Sequence, residues 1–242
     1  MEKAIGEVGS ILLGSIGTIV ETSEIQRRAF NLAFEKCKIP WVWEQQNYIE
    51  MLVEAGGKNR LKSYAEKCNV TLEPSQIDKI YSTKNSFFLE TIRSNHIAPR
   101  DGIISLLRDC YKYEVKVGWV TTANNQVVEA LMETLEEHID FSTFDLVTSL
   151  DSGIEPKPNP DIYRKSISQV GTSVNLALAI EDSESGFIAA HKAGVRCLVV
   201  PGRYKKDQQF NGADGVVDSI EDINLSKLEG GRALATVGIN RK

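Results

Sequence analysis

Several residues whose side chains bind anions or cations directly follow apolar runs of the sequence or lie in a rigid proline-flanked segment. Threonine hydroxyls and a lysine ammonium are suited to binding an anion such as phosphate, and neighbouring carboxylates are suited to holding a divalent cation. The combination therefore indicates an anion site with a possible metal position beside it. In chain order these residues are Ser15, Thr121, Thr122, Lys157, Glu181 and Asp182, and Gly14 precedes the first of them.

The apolar runs that precede these residues are typical of buried strands, because they are short, nearly continuous and end at polar or turn residues. The stretches between them have helical spacing, most clearly residues 125–135 and 183–193. Alternating strands and helices predict an α/β fold of the Rossmann-like kind, with a parallel sheet and helices on both faces. Ligands of such sheets bind at the carboxyl ends of the strands. The predicted strands are residues 10–13, 115–120, 176–180 and 197–200.

The stretch from about residue 24 to residue 97 differs from its surroundings, since it is rich in helix formers and has no strand-like run. Trp41, Trp43 and Tyr48 are expected to pack between its helices. We therefore predict a core domain of residues 1–22 and 98–228 and an inserted all-helical cap domain of residues 23–97. Residues 229–242 include the glycine pair Gly230 and Gly231 and show no clear pattern, so they are expected to form a loose C-terminal tail.

Composition and charge exclude several classes of function. The chain has 242 residues, of which 42% are hydrophobic and 25% charged, as in ordinary globular proteins. Its formal net charge of −5 argues against a nucleic-acid partner. The longest early apolar run is too short to cross a membrane and no targeting segment is evident, so we expect no membrane partner and a cytoplasmic or organelle-stroma location.

Four segments of the chain together resemble the four motifs of the haloacid dehalogenase superfamily. The resemblance extends to its CbbY-like, β-phosphoglucomutase-like subgroup of sugar-phosphate phosphatases, because residues 56–60 match the GGKxR loop of that subgroup's cap. It covers roughly residues 10–220 and implies a haloacid dehalogenase core with an inserted helical cap. The four motif segments are LGSIGTIVET at 13–22, VTTAN at 120–124, PKPNPDIY at 156–163 and IEDSESG at 180–186.

The first of these motifs departs from the family pattern Asp-x-Asp-Gly-Thr. Gly17 and Thr18 match its end, but Gly14 and Ile16 stand where the two aspartates belong. In the family the first aspartate is the nucleophile and a Mg²⁺ ligand, and the second is the general acid and base. Glycine has no side chain to attack with, and isoleucine cannot transfer a proton. Ser15 offers no substitute, because the next residue of a strand is expected to point to the opposite face.

The remaining site residues have roles that the resemblance implies. The anion-binding residues of the core would hold a phosphate, Lys58 and Arg60 of the cap would grip the substrate, and Asp182 with Glu181 would be a weak, vestigial metal site. With two carboxylates missing, we expect no cofactor, Mg²⁺ being at most weakly bound, and Lys157 paired directly with Asp182 or Glu181. The phosphate-binding set is Ser15, Thr121, Thr122 and Lys157.

Plainer structural explanations exist for each of these residues. The threonines would serve as strand-end caps, Lys157 or the pair Lys58 and Arg60 as solvated cations, and Glu181 with Asp182 as the N-cap of the next helix. The sequence favours a catalytically impaired pseudo-phosphatase that binds a phosphorylated sugar, a phosphate anion or a partner protein. The alternatives are a hydrolase with weak or non-standard activity on sugar phosphates, and a purely structural subunit.

Overall fold

A computed structural model of the chain describes residues 2–54, 56–150, 155–228 and 231–238. The chain divides into two compact units, Met1–Glu21 with Ile97–Lys242 as the first and Thr22–His96 as the second. All four cysteines are free thiols. No helix among the described residues is long and apolar enough to span a membrane.

The first unit is built on β-strands. Their bounds explain where the site residues fall, since Gly14 and Glu181 each end a strand and Thr121 directly follows one. In chain order the strands are β1 Glu2–Val8, β2 Ser10–Gly14, β3 Lys116–Val120, β4 Leu146–Val147, β5 Ala177–Glu181, β6 Arg196–Val199, β7 Gly215–Val216, β8 Ile223–Lys227 and β9 Ala233–Gly238.

Six of these strands form one parallel sheet in the order β4-β3-β2-β5-β6-β7. Strands β2 and β5 are buried along their whole length, which is why their sequences read as continuous apolar runs. The chain adds β3 and β4 on one side of β2 and then returns to add β5, β6 and β7 on the other. The order therefore reverses at β2 and β5, and the crevice at their carboxyl ends is where an open α/β sheet binds ligands. The predicted α/β fold class is confirmed.

The helices of the first unit alternate with its strands along the sequence. The helix predicted at 125–135 is confirmed with the same bounds, and the one predicted at 183–193 begins after Ser183, whose side chain accepts the Gly186 N–H as an N-cap. The helices at Ile103–Lys112 and Asp161–Val170 contact β3, and the helix at Glu184–Lys192 contacts β5 and β6. The helices of this unit are α1 Ser15–Ile19, α6 Ile103–Lys112, α7 Asn125–Leu135, α8 Asp161–Val170 and α9 Glu184–Lys192.

The expectation that residues 229–242 form a loose tail is wrong for the part that the structure describes. Strand β9 is the central strand of an antiparallel sheet of order β1-β9-β8, with Glu2 opposite Gly238. Ala233, Ala235 and Val237 are buried and alternate with less buried neighbours, the period of a half-buried strand. The small size of these side chains hid the pattern in the sequence. Residues 229, 230 and 239–242 of the predicted tail lie outside the described residues.

The second unit consists of four helices and their connections, has no strand among its described residues, and packs around an aromatic core. Trp43 and Tyr48 are fully buried, and the Trp43 ring lies 4.6 Å from that of Phe30 between ring centroids. Trp41 contacts Tyr64 edge-on at 5.1 Å, so the predicted packing of these aromatic residues is confirmed. The helices are α2 Ser23–Lys36, α3 Gln45–Met51, α4 Gly57–Lys67 and α5 Pro74–Ser94.

Candidate functional site

The turn after β2 places a hydroxyl beside a carboxylate. Ser15 has a left-handed backbone with φ of 35° and begins α1 directly after the strand. Position 14 lies against Glu181, whereas the Ser15 side chain approaches the next residue, Asp182, so these contacts agree with the expectation that Ser15 does not share the face of residue 14. The Ser15 hydroxyl donates a hydrogen bond to Oδ1 of Asp182, at the carboxyl end of the neighbouring strand β5. Ser15 is thus already engaged by the protein itself.

Glu181 fills the space at the end of β2. A Cβ atom added to Gly14 would lie 2.1 Å from the carboxyl carbon of Glu181, and one added to Gly186 would lie 2.0 Å from its Oε2. Such separations are far below van der Waals contact, so this carboxylate lies where it does because positions 14 and 186 lack side chains. The two glycines and the glutamate fit together as one packed unit.

The carboxylate of Glu181 is held by a lysine and a tyrosine. Its Oε1 accepts a hydrogen bond from Lys157 Nζ at 2.6 Å and another from the Tyr163 hydroxyl at 2.5 Å. Burial, followed by the negative charge of Glu181, raises the pKa of Tyr163 well above its ordinary value, so the tyrosine is a donor here. Glu181 is fully buried, and its Oε2 has no hydrogen-bond partner among the described residues.

Lys157 reaches this carboxylate from the third motif. Its ammonium also donates to the carbonyl oxygen of Val120 at 2.7 Å and lies 4.9 Å from the centre of the Tyr163 ring. Only 5% of the side chain is exposed, so the alternative of a solvated lysine does not hold. Of the two carboxylate partners expected for Lys157, the structure provides Glu181.

Asp182 has a second lysine as its partner. Its Oδ2 pairs with the ammonium of Lys205, which the sequence motifs did not single out. Burial alone would raise the pKa of Asp182, but the charge of Lys205, hydrogen bonds from Lys205 and Ser15, and the guanidinium of Arg100 hold it below its ordinary value. Lys205 follows β6, the next strand of the sheet, and that position at the same sheet edge was the signal available in the sequence.

The other residues of the first and second motifs have mainly structural contacts. Thr121 is buried, and its hydroxyl accepts the N–H of Ala123 at 3.1 Å, as expected of a strand-end cap. Thr122 is half-buried beside it. Ile16 lies in α1, where its carbonyl oxygen accepts the Val20 N–H at 2.9 Å.

Lys58 and Arg60 lie in the first turns of α4 in the second unit, but in different surroundings. The Lys58 ammonium pairs with Asp78 at 2.7 Å on an exposed surface. The Arg60 guanidinium lies over the Tyr48 ring and donates to the carbonyl of Glu54, while its Nε is buried without a partner among the described residues. Lys58 is therefore exposed to solvent, whereas Arg60 is half-buried, so the alternative of two solvated cations holds for Lys58 alone.

A buried lysine of the second unit was missed from the sequence. Lys84 is 5% exposed, hydrogen-bonds to Gln26, and lies 4.9 Å from the centre of the Phe88 ring. Burial, with a smaller contribution from the charge of Arg60, lowers its pKa to about 7. The available signal was its position on α5, because it shares the buried face of that helix with Ile80 and Phe88.

The donor set at the strand ends does not fit a divalent metal. Mg²⁺ requires about six oxygen ligands at about 2.0–2.1 Å, and several of them are usually carboxylates or water. Here Glu181 and Asp182 each carry a lysine ammonium. The described residues contain no cluster of three or more histidine, cysteine, aspartate or glutamate side chains able to hold a metal.

Comparisons with known proteins agree with this architecture. The family model described as haloacid dehalogenase-like hydrolase matches residues 17–200. The chain is 34% identical to protein CbbY of Cereibacter sphaeroides over 216 residues, covering 89% of this chain and 94% of that protein. It is 26% identical to protein CbbY of Rhodobacter capsulatus over 208 residues, covering 86% and 92%.

Solved structures give the same relationship. A mutant form of CbbY from Rhodobacter sphaeroides in complex with xylulose-(1,5)bisphosphate superposes with a TM-score of 0.80 at 34% identity, covering 89% of this chain and 96% of that one. CbbY from the same organism in complex with phosphate matches equally well. A β-phosphoglucomutase from Clostridium difficile shares the fold with a TM-score of 0.71 at 21% identity, covering 88% and 92%. The chain therefore belongs to the haloacid dehalogenase-like hydrolases, in their CbbY-like group.

Proposed function

We propose that this chain is a catalytically impaired member of the CbbY-like group that binds a phosphorylated sugar without hydrolysing it by the aspartyl-phosphate route. The observation that carries the proposal is the end of β2. Gly14 offers no nucleophile there, and the space that a side chain at this position would enter is filled by the carboxylate of Glu181. Ile16, two residues on, has no group that could transfer a proton.

Glu181 is a poor replacement for the missing nucleophile. Its carboxylate lies where the first side-chain atom of residue 14 would be, and therefore deeper than a carboxylate carried by that residue. It is fully buried and accepts two short hydrogen bonds, from Lys157 and Tyr163. Both bonds stabilise the carboxylate before any substrate arrives, and this lowers its nucleophilicity.

Binding of a phosphorylated sugar is supported by three observations. The CbbY structures that superpose on this chain contain a sugar bisphosphate or phosphate. Lys157 lies at the carboxyl ends of the strands, although its pairing with Glu181 reduces the positive charge it can offer to an anion. Arg60 is half-buried, and its guanidinium is a donor group of the kind that binds phosphate. We therefore expect weak to moderate affinity and no requirement for a metal cofactor.

Two measurements on the purified protein test the proposal. Phosphate release from sugar mono- and bisphosphates, with Mg²⁺ present, should stay at background. The melting temperature should rise with added sugar bisphosphate, as it does for any ligand that binds only the folded state. Robust Mg²⁺-dependent turnover would instead establish a hydrolase, and neither turnover nor a shift would favour a structural subunit.

A matched pair of variants locates the binding. Arg60→Gln should reduce the thermal shift caused by the sugar bisphosphate, because it removes a charged donor group from α4. Lys62→Gln removes an exposed lysine of the same helix and should leave the shift unchanged. Equal losses in both variants would mean that only the net charge of the helix matters, and the proposed role of Arg60 would be rejected.

A further inference from the structure

The chain itself provides a cation for the buried carboxylate of Asp182, namely the ammonium of Lys205. Oδ2 of this carboxylate pairs with Lys205, and Oδ1 accepts the hydroxyl of Ser15. The side chain of Asp182 is 1% exposed, and that of Lys205 is 18% exposed. A charged group this deeply buried is costly unless it is paired, and here both of its oxygens have partners.

The turn that carries Lys205 is fixed to the same site by its backbone. Gly202 donates its N–H to the carbonyl oxygen of Asp182 at 2.9 Å, and Lys205 donates its N–H to the carbonyl oxygen of Gly202 at 2.9 Å. The N–H of Arg203 donates to Oε2 of Glu21 at 2.6 Å. The ammonium is therefore delivered by an ordered turn, so less conformational entropy is lost when the ion pair forms.

The packing around Asp182 leaves little room for a hydrated metal ion. A Cβ atom added to Gly17 would lie 1.9 Å from Oδ2 of this aspartate, and one added to Gly202 would lie 3.1 Å from the same oxygen. The carboxylate is thus enclosed by two backbone segments and the lysine. A Mg²⁺ ion, which keeps several of its waters in proteins, would have to displace Lys205 to reach it.

The charges at the strand ends are already balanced. Two carboxylates, Glu181 and Asp182, face two ammonium groups, Lys157 and Lys205. The guanidinium of Arg100 lies close by, with Nη1 on the carbonyl oxygens of Gly17 and Val200. The carboxylate of Glu21 also belongs to this cluster, because its Oε2 would lie 3.4 Å from a Cβ atom added to Gly202. Three carboxylates are thus matched by three cationic groups, and a divalent cation would add two positive charges that no further carboxylate of the cluster offsets.

We propose that Lys205 acts as a built-in monovalent cation that takes the place of a divalent metal at Asp182. The folded first unit then neither binds nor requires Mg²⁺. This proposal concerns only the cation at Asp182, so it holds whether or not a phosphorylated sugar binds to the protein.

The test uses the intact chain without any sugar, as wild type, Lys205→Met and Lys206→Met. Melting temperatures are compared in millimolar MgCl2 and in EDTA at ionic strength matched with NaCl. The wild type should melt at the same temperature in both. Lys205→Met should melt roughly 10 °C lower in EDTA, because a buried carboxylate loses its partner. Mg²⁺ should restore part of that loss by binding to the exposed carboxylate site. Lys206→Met removes an exposed neighbouring lysine and should behave as the wild type.

Two outcomes would overturn the proposal. One is saturable Mg²⁺ binding to the wild type in calorimetry at millimolar concentration, which counts against it even if the protein hydrolyses nothing. The other is a Lys205→Met variant that keeps the wild-type melting temperature and gains no response to Mg²⁺. If Lys205→Met does not fold, Lys205→Arg decides, since it retains a cation and should remain indifferent to Mg²⁺.

Discussion

The carboxylate of Glu181 and the missing side chain of Gly14 occupy one space, so neither position can change independently of the other. A Cβ atom at position 14 would lie 2.1 Å from the carboxyl carbon of Glu181. Restoring an aspartate at position 14 would therefore bring steric overlap and a second negative charge into a buried site. This makes the loss of the first-motif aspartate hard to reverse by a single substitution.

The first prediction is that Gly14→Ala destabilises the fold by about 1–3 kcal/mol, because the added methyl overpacks a filled site. The free energy of unfolding is measured by urea denaturation. Gly238→Ala is the matched control in another strand, since its new methyl would meet its nearest neighbour at 3.7 Å, an ordinary contact. Equal effects of the two substitutions would show that the position of Glu181 is not as tight as described.

The same overlap gives a second prediction for catalysis. The double variant Gly14→Asp with Ile16→Asp should show no Mg²⁺-dependent phosphate release above that of the wild type, because Glu181 and its lysine occupy the space that the first aspartate needs. Release of phosphate from sugar phosphates is the measurement, with circular dichroism to show that the variant is folded. Substantial recovered turnover would mean that Glu181 moves aside readily.

A third prediction follows from the pKa of Lys84, which burial lowers from 10.5 to about 7. Between these values the unfolded chain holds a proton on Lys84 that the folded chain releases. Stability should therefore increase as the pH rises from about 7 to 10.5, and be lost as the pH falls through this window, by at most about 5 kcal/mol. Below pH 7 both states are protonated and this contribution stays constant.

Urea denaturation at several pH values between 7 and 10 measures this dependence. Lys84→Met should remove the pH-dependent part and leave a flatter profile, whereas Lys58→Met, which removes an exposed lysine of the same unit, should retain it. A wild-type profile identical to that of Lys84→Met would show that Lys84 keeps an ordinary pKa in the folded protein.

At the scale of elements, the sequence predicted what depends on strong local patterns. The strands that end at Gly14 and Glu181 were found from continuous apolar runs, and the helix at 125–135 from its spacing. Strand β9 was missed because its alanine, threonine and glycine residues differ too little in hydrophobicity for the alternation to be visible in the sequence. The partner of Asp182 escaped for another reason. The sequence indicates that Lys205 follows the next strand at the same sheet edge, but an ion pair between residues 23 positions apart also depends on how two loops pack.

The alternation in β9 supports a fourth prediction. Ala235→Lys should destabilise the protein by about 3 kcal/mol or more, since it places an unpaired ammonium on the buried side of the sheet. Thr236→Lys lies on the other side of the same strand, beside Glu2, and should change stability by no more than about 0.5 kcal/mol. Urea denaturation measures the free energy of unfolding of both variants. An Ala235→Lys variant as stable as the wild type would support the loose-tail interpretation instead.

At the scale of the whole molecule, the second unit is inserted into the sequence of the first. Hydrogen bonds connect the two segments of the first unit close to where the insertion begins and ends. The N–H of Arg100 donates to the carbonyl oxygen of Ile19 at 2.8 Å, and its guanidinium binds the carbonyl oxygen of Gly17. The insertion therefore starts and ends near one position of the core. Each unit also has its own buried core, and that of the second unit is aromatic.

The fifth prediction is that the first unit folds without the second. A chain in which residues 22–96 are replaced by a short glycine–serine linker should melt cooperatively and keep a near-ultraviolet circular dichroism signal from its buried aromatic residues. The intact chain serves as the reference. A gradual, non-cooperative transition would show that the parallel sheet depends on the helical unit.

The placement of the three tryptophans gives the protein an optical reporter for each unit. Trp41 and Trp43 belong to the second unit, whereas Trp119 is fully buried in β3 and its indole N–H donates to the carbonyl oxygen of Ser15 at 3.2 Å. With Trp41 and Trp43 changed to phenylalanine, the tryptophan fluorescence of the chain, excited selectively over that of its tyrosines, would come from Trp119 alone. Its emission wavelength and quenching would then report conformational changes of the turn after β2, in solution and without an attached dye.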